Sequence, residues 1–164
     1  MKIKGVSFLA LMLWGMWLIL NNSLEAQIVI SGLFVSLLLS VALNRYALDF
    51  KTLRLTPRAF IALIGFVSVF IIELVKSNMD VAWRVLSPSL PINPGIVEVR
   101  TKLTSPLGRL ILSSSITLTP GTLTVEMTGD RLFIHWIDVK AGDMEGATQA
   151  IVAKFERYLE VIYG

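Results

Sequence analysis

With 164 residues, 54% of them hydrophobic and only 16% charged, and a mean hydropathy of +0.70, the chain is too apolar for an ordinary soluble domain. The formal net charge is +3, but the basic residues cluster beside apolar runs rather than on one water-facing surface, which argues against a nucleic-acid partner. There is no cysteine, so disulfides, thiolate metal sites and cysteine nucleophiles are excluded.

Three apolar stretches, Val6 to Leu20, Ala26 to Leu43 and Ala59 to Val75, fill most of the first half. A helix needs about 20 residues to cross the hydrocarbon core, with roughly 17 to 25 the usual range. The second and third runs reach that length with their flanks; the first is marginal. Lys2 and Lys4 ahead of the first run suit a secretory signal, yet Leu20-Asn21-Asn22-Ser23-Leu24-Glu25 leads straight into the next run without a small-x-small cleavage site. Those turn residues instead predict an antiparallel helical hairpin.

Within the second run Gly32, Ser36 and Ser40 recur every fourth residue. They form a small-residue face that lets another helix approach closely, or they are simply tolerated in a spanning helix. Arg45, Lys51, Arg54 and Arg58 make the next connector basic, the feature that marks a cytoplasmic loop.

Thr56-Pro57 predicts a helix start, with Thr as the cap and Pro at the first helical position. No breaker follows until Pro88, so this helix extends to about Leu86 and outruns the bilayer. Its far end carries Glu73, Lys76, Asp80 and Arg84 on one stripe of alternating sign. A carboxylate at the centre of a spanning helix costs about 2.5–3.5 kcal/mol, less near the interface. Glu73 is therefore either a buried group on an ion path or an interfacial charge paired with Lys76, and its place near the end of the run favours the interface.

Pro88, Pro91 and Pro94 make residues 87–94 a stiff extended connector. Gly95 to Lys102 alternates and predicts a strand; Ser105-Pro106 opens a short helix; Thr122 to Met127 and Arg131 to Val139 predict a hairpin turning at Thr128-Gly129-Asp130. Asp143 caps a final helix in which Met144, Ala147, Ile151, Phe155, Tyr158 and Ile162 recur at helical spacing. The expected architecture is a membrane α-helical N-terminal half of three helices plus a small C-terminal α+β domain of order β-α-β-β-α. Residues 1–86 form the transmembrane region, with helices at about 6–22, 25–44 and 57–86, and residues 95–164 form a membrane-surface domain. A core that small is marginal alone and leans on a neighbour.

Among candidate sites, Thr119-Pro120-Gly121-Thr122 lacks the Gly-Lys-Ser/Thr ending of a phosphate loop and matches the Pro-Gly demand of a type II turn. Such a turn could serve as a docking contact for a partner subunit. His135 is the single histidine; it shares a strand face with Phe133 and Ile137, while Leu132, Ile134 and Trp136 share the other, so the strand is expected to be covered on both sides. Asp138 and Asp143 read as solvated or capping residues, and neither paired catalytic carboxylates nor a cofactor site is indicated. Trp14, Trp17, Trp83 and Tyr46 suit membrane edges or helix contacts.

Three stretches are distinctive together: Leu90-Pro91-Ile92-Asn93-Pro94-Gly95-Ile96-Val97, Ile116-Thr117-Leu118-Thr119-Pro120-Gly121-Thr122-Leu123-Thr124-Val125, and Ile134-His135-Trp136-Ile137-Asp138-Val139. With the apolar runs before them, the sequence resembles the E-type subunit of the multi-subunit Mrp-type sodium/proton antiporters over essentially the whole chain. Ser114 departs from the Asn expected there in that family, so no role is carried over to it.

The resemblance implies a non-catalytic accessory subunit in the cell membrane, partnered by sister subunits and membrane lipid, without a cofactor, in a complex that handles sodium ions and protons. It equally fits the Mrp-like module of a membrane-bound hydrogenase or related respiratory complex. No catalytic residue is carried over; Glu73, Lys76 and Asp80 are the candidates for an ion-path or interfacial charge, and Thr119, Pro120, Gly121 and Thr122 for a docking turn.

Orientation is where two expectations conflict. Three spans with a cytoplasmic basic connector put the C-terminal domain outside, whereas the resemblance implies a cytoplasmic domain. A first run that does not fully cross would reconcile them, and the cytoplasmic side is the expectation adopted.

Overall fold

The computed structural model describes residues 3–43, 54 and 56–164; Arg45, Tyr46 and Lys51 lie outside the described residues. It divides into two compact units, Met1–Phe50 and Lys51–Gly164.

The first unit is a helical hairpin of α1 (Ile3–Asn21) and α2 (Ala26–Ala42). At 19 and 17 residues, both sit toward the short end of the range for crossing a bilayer. Asn22 turns the chain with φ 46°, a left-handed conformation that Asn tolerates. The small face of α2 is its buried face: Gly32, Ser36 and Ser40 are the buried residues of that helix. Trp17 lies over Gly32, where any Cβ would strike its indole. Its Nε1 donates to the Ile28 carbonyl at 3.1 Å, and Trp14 Nε1 donates to Val29 at 3.1 Å. The spacing of small residues thus makes room for the tryptophans of the partner helix.

The second unit opens with α3 (Pro57–Leu86), 30 residues long. Thr56 caps it through a hydrogen bond from the Ala59 N–H at 3.1 Å, with Pro57 in the first turn. Among the described residues α3 is the one helix long and apolar enough to cross a membrane, by length and composition.

The C-terminal module follows, built on a three-stranded antiparallel sheet of β1 (Gly95–Arg100), β2 (Thr122–Thr128) and β3 (Arg131–Trp136) in the order β1-β3-β2. Register places Val97 opposite Ile134 and Val99 opposite Leu132, so these four face one side. That side is covered by α4 (Pro106–Leu118), α5 (Met144–Ile151) and α6 (Ala153–Tyr163). The hairpin turns at Gly129, φ 63°, and β2 bulges between Thr124 and Glu126.

Two expectations need correction. The final helix is two helices, so the module is β-α-β-β-α-α; the chain bends at Val152, whose two neighbours serve different surfaces. α5 lies along β1, where Thr148 Oγ1 accepts from the Arg100 N–H at 3.1 Å, while α6 lies along α3. The third strand ends its sheet pairing at Trp136, and residues beyond it bond the connector instead: Asn93 N–H donates to Ile137 at 3.1 Å and Val139 N–H to Asn93 at 2.9 Å. His135 and Phe133 lie on the sheet face opposite the helices, and within this chain His135 is exposed.

The core completes itself with α3. Phe155, 1% exposed, meets Phe66 edge-on at 6.2 Å and Phe70 at 6.4 Å between ring centroids. Phe66, Val69 and Phe70 pack against the same cluster as Leu112, Ile134 and Leu159.

Candidate functional site

The charged stripe of α3 and the Thr119–Thr122 turn, far apart in sequence, line one cavity of about 170 Å³. Lys76, Asp80 and Arg84 come from α3; Thr119, Pro120, Gly121 and Thr122 follow α4; Asp138 and Lys140 follow β3; Lys154 comes from α6.

Arg84 is the hub of one end. Though charged, it is only 6% exposed. Its Nε donates to Asp80 Oδ2 at 2.7 Å, one turn back on the same helix, and Nη2 donates to Asp80 Oδ1 at 3.2 Å. Nη2 also reaches Asp138 Oδ2 at 2.8 Å, and Nη1 donates to the Pro91 carbonyl. A planar guanidinium suits this work, because its donors diverge at fixed angles toward several acceptors. One side chain thereby joins the end of α3, the proline connector and the segment after β3. Lys140 adds a second cation to Asp138 at 3.5 Å.

Lys76 and Lys154 line the other end, and Glu73, outside the lining itself, pairs with both. Its side chain is 20% exposed, and Oε2 accepts from Lys154 Nζ at 2.6 Å while Oε1 lies 3.6 Å from Lys76 Nζ. The stripe therefore splits into two clusters, Glu73 with Lys76 and Lys154, and Asp80 with Arg84 and Asp138.

The wall between them is the turn. Thr122 N–H donates to Thr119 O at 3.3 Å and Gly121 adopts φ 91°, the geometry of a type II turn with Pro at its second place. A Cβ on Gly121 would lie 2.9 Å from Ile137 Cγ2 and 3.8 Å from Val81 Cγ2, so the turn rests against both β3's continuation and α3. Hydroxyls fix it from behind: Thr119 Oγ1 donates to Ser115 O at 2.8 Å and Thr122 Oγ1 to Ile116 O at 2.7 Å.

Sequence reasoning singled out Glu73, Lys76, Asp80 and the turn, and it missed what holds them together. Arg84 stood on the stripe but was not named as a site residue, although its spacing of four from Asp80 was the available signal. Asp138 read as a solvated residue; it is an ion-pair partner of Arg84. Lys154, the nearest cation to Glu73, carried no local signal at all. Chemically the arrangement is a set of compensated charges at the junction of a long apolar helix and a polar module.

Residues 10–162 match the family model described as a Na+/H+ ion antiporter subunit. The chain is 36% identical over 148 residues to the E-type Na(+)/H(+) antiporter subunit of Bacillus subtilis (strain 168), covering 89% of this chain and 90% of that protein. It is 38% identical over 126 residues to the E-type Na(+)/H(+) antiporter subunit of Alkalihalophilus pseudofirmus, covering 75% and 77%. Among solved structures it is similar to a chain of the membrane-bound sulfane sulfur reductase, an archaeal respiratory membrane complex, with 40% identity, a TM-score of 0.80 and coverage of 97% and 99%. A match of this extent to the family model, supported by both relatives, places the chain in the family of E-type subunits of the Mrp-type Na+/H+ antiporters.

Proposed function

We propose that this chain is an accessory membrane subunit of a multi-subunit sodium/proton antiporter, which helps to assemble the complex and lines one edge of an ion route without catalysing a reaction itself. The observation that carries this reading is the likeness to E-type antiporter subunits along nearly the full length of both chains. In this reading residues 1–86 supply three membrane helices, residues 87–94 are the connector, and residues 95–164 form a module at the cytoplasmic surface of the cell membrane. Sister subunits and lipid are its partners. The Thr119–Thr122 turn is a docking contact, supported by its rigid anchoring on α4, and Glu73, Lys76 and Asp80 are interfacial charges at the edge of the route.

Affinity isolation of the tagged chain in mild detergent tests the assignment. Large antiporter-type subunits should co-purify, and a monodisperse monomer without membrane partners would refute it. For the charges, Glu73→Gln keeps an acceptor for Lys154 but removes the negative charge. It should lower sodium/proton antiport in vesicles while the complex still assembles; unchanged antiport and sodium resistance would remove Glu73 from the route.

A second reading is favoured by the 40% identity and near-complete overlap with a chain of a respiratory membrane complex. The same polypeptide would then serve an Mrp-like module coupled to a redox enzyme. Iron–sulfur or nickel-binding subunits in the isolated complex would establish that host.

A further inference from the structure

The cavity walled by α3, the Thr119–Thr122 turn and the start of α6 holds an unbalanced set of charges. Lys76, Arg84, Lys140 and Lys154 stand on its walls with Asp80 and Asp138, and Glu73 lies just outside, so four cations share three carboxylates. Arg84 is not the one in excess, because its donors are taken by Asp80, Asp138 and the Pro91 carbonyl. Lys154 is likewise committed, holding Glu73 at 2.6 Å. The excess falls on Lys76 and Lys140, each the second cation on a carboxylate that already has a shorter partner: Lys76 lies 3.6 Å from Glu73, and Lys140 lies 3.5 Å from Asp138. Their side chains are 71% and 65% exposed, so both ammonium groups have room to turn toward an incoming group. No local run of charge explains the convergence, since Lys76 belongs to α3, Lys140 follows β3 and Lys154 belongs to α6.

In water this surplus is harmless, because exposed ammonium groups keep their hydration. Under a docked protein it is not. Covering the turn strips water from the cations beside it, and a cation left without an anion in such a seam is heavily penalised. Interfaces answer this by setting opposite charges across from one another, and the anions that a protein subunit brings are carboxylates. A space of about 170 Å³, well above the roughly 10–15 Å³ that one water needs, has room for the end of an acidic side chain.

We infer that the cavity is a socket for a carboxylate of a sister subunit: an aspartate, a glutamate or a chain terminus enters beside the Thr119–Thr122 turn and is held between Lys140 and Lys76, bringing the cluster to neutrality. This rests on the subunit reading and names the chemistry that the docking turn meets. The contact fixes the register of the two subunits and slows their separation.

Zero-length carbodiimide coupling in the intact, detergent-isolated complex reads the contact directly, because it forms an amide only between an amine and a carboxylate that touch. Peptide mass spectrometry should find Lys140 or Lys76 joined to an acidic residue of another subunit. The Lys154–Glu73 pair supplies an internal amide showing that the reagent has entered the cavity; with that amide present and neither Lys140 nor Lys76 joined to another subunit, the inference is overturned. Lys140→Glu gives a reading that needs no reagent. It should lower the yield of co-purifying sister subunits about tenfold, while the thermal midpoint of the isolated chain hardly moves. Exchanging the coupled carboxylate for lysine in the same complex should restore the yield. An unchanged yield with Lys140→Glu would overturn the inference. Protection of Lys140 from acylation by inorganic phosphate in the isolated chain, without any inter-subunit amide, would assign the cavity to a free oxyanion and overturn it as well. An unaltered chain that isolates alone refutes the subunit reading and the inference with it, whereas a full set of sister subunits without the amide or the Lys140→Glu loss refutes the inference alone.

Discussion

Removing the Arg84 guanidinium would strip Asp80, Asp138 and the Pro91 carbonyl of a shared donor at once. Arg84→Met is therefore expected to lower the thermal midpoint of the detergent-purified chain by several degrees. Arg84→Lys should not restore it, because an ammonium cannot hold the Asp80 fork and reach Pro91 and Asp138 together. Recovery by Lys would mean that charge alone matters there. At Gly121 the argument is steric rather than electrostatic. With φ at 91° and Ile137 Cγ2 only 2.9 Å from an added Cβ, Gly121→Ala should destabilise by about 1–2 kcal/mol from the left-handed backbone alone. Equilibrium unfolding in detergent checks this, with Gly129→Ala as a comparison: its φ is also positive, at 63°, but no atom lies within 4 Å of the added carbon. The difference between the two isolates the contact of the turn with its surroundings.

The seam between α3 and α6 depends on a small number of aromatic contacts. Phe155 is buried between Phe66 and Phe70, with Lys154 Nζ 5.5 Å from its ring centroid, so truncation leaves a cavity bounded by helices that cannot easily close. Phe155→Ala should cost about 3–5 kcal/mol, visible as a lowered unfolding midpoint. At this scale much could be read from sequence. Thr56, Ser105 and Asp143 each accept an N–H three residues on, at 3.1, 3.3 and 3.1 Å, as a hydroxyl or carboxylate before a helical run should. The bend at Val152 left no trace, because Ile151, Phe155, Leu159 and Ile162 keep helical spacing straight through it and all point to one core. Neither was the buried side of α3 legible: Phe66 and Phe70 face α6 while Phe60 and Ile64 do not, yet all four are equally apolar. The site was half visible for a related reason. Spacing along one helix pairs Asp80 with Arg84, but no local pattern brings in Asp138, 54 residues from Arg84, or Lys154, 81 residues from Glu73.

For the second unit as a whole, the boundary suggested by the prolines is not where the core ends. Phe66, Val69 and Phe70 join the cluster that holds the sheet and its helices, and Arg54 continues the contact to the end of α6. A module of about 70 residues buries too little surface to be secure alone. Here it would also present Phe155, Leu159 and Ile162 uncovered if α3 were absent, and Lys154 and Asp138 would lose Glu73 and Arg84. A fragment of residues 95–164 is therefore expected to aggregate or to show a broad, non-cooperative thermal transition. A fragment of residues 54–164, kept in mild detergent to cover the outer apolar face of α3, should give a single sharp transition. Thermal circular dichroism and light scattering on the two fragments decide the matter: a cooperative, monodisperse 95–164 fragment would show that the module's stability does not depend on α3. The same pair carries a control for the seam, since Phe155→Ala should broaden the transition of the longer fragment toward that of the shorter one.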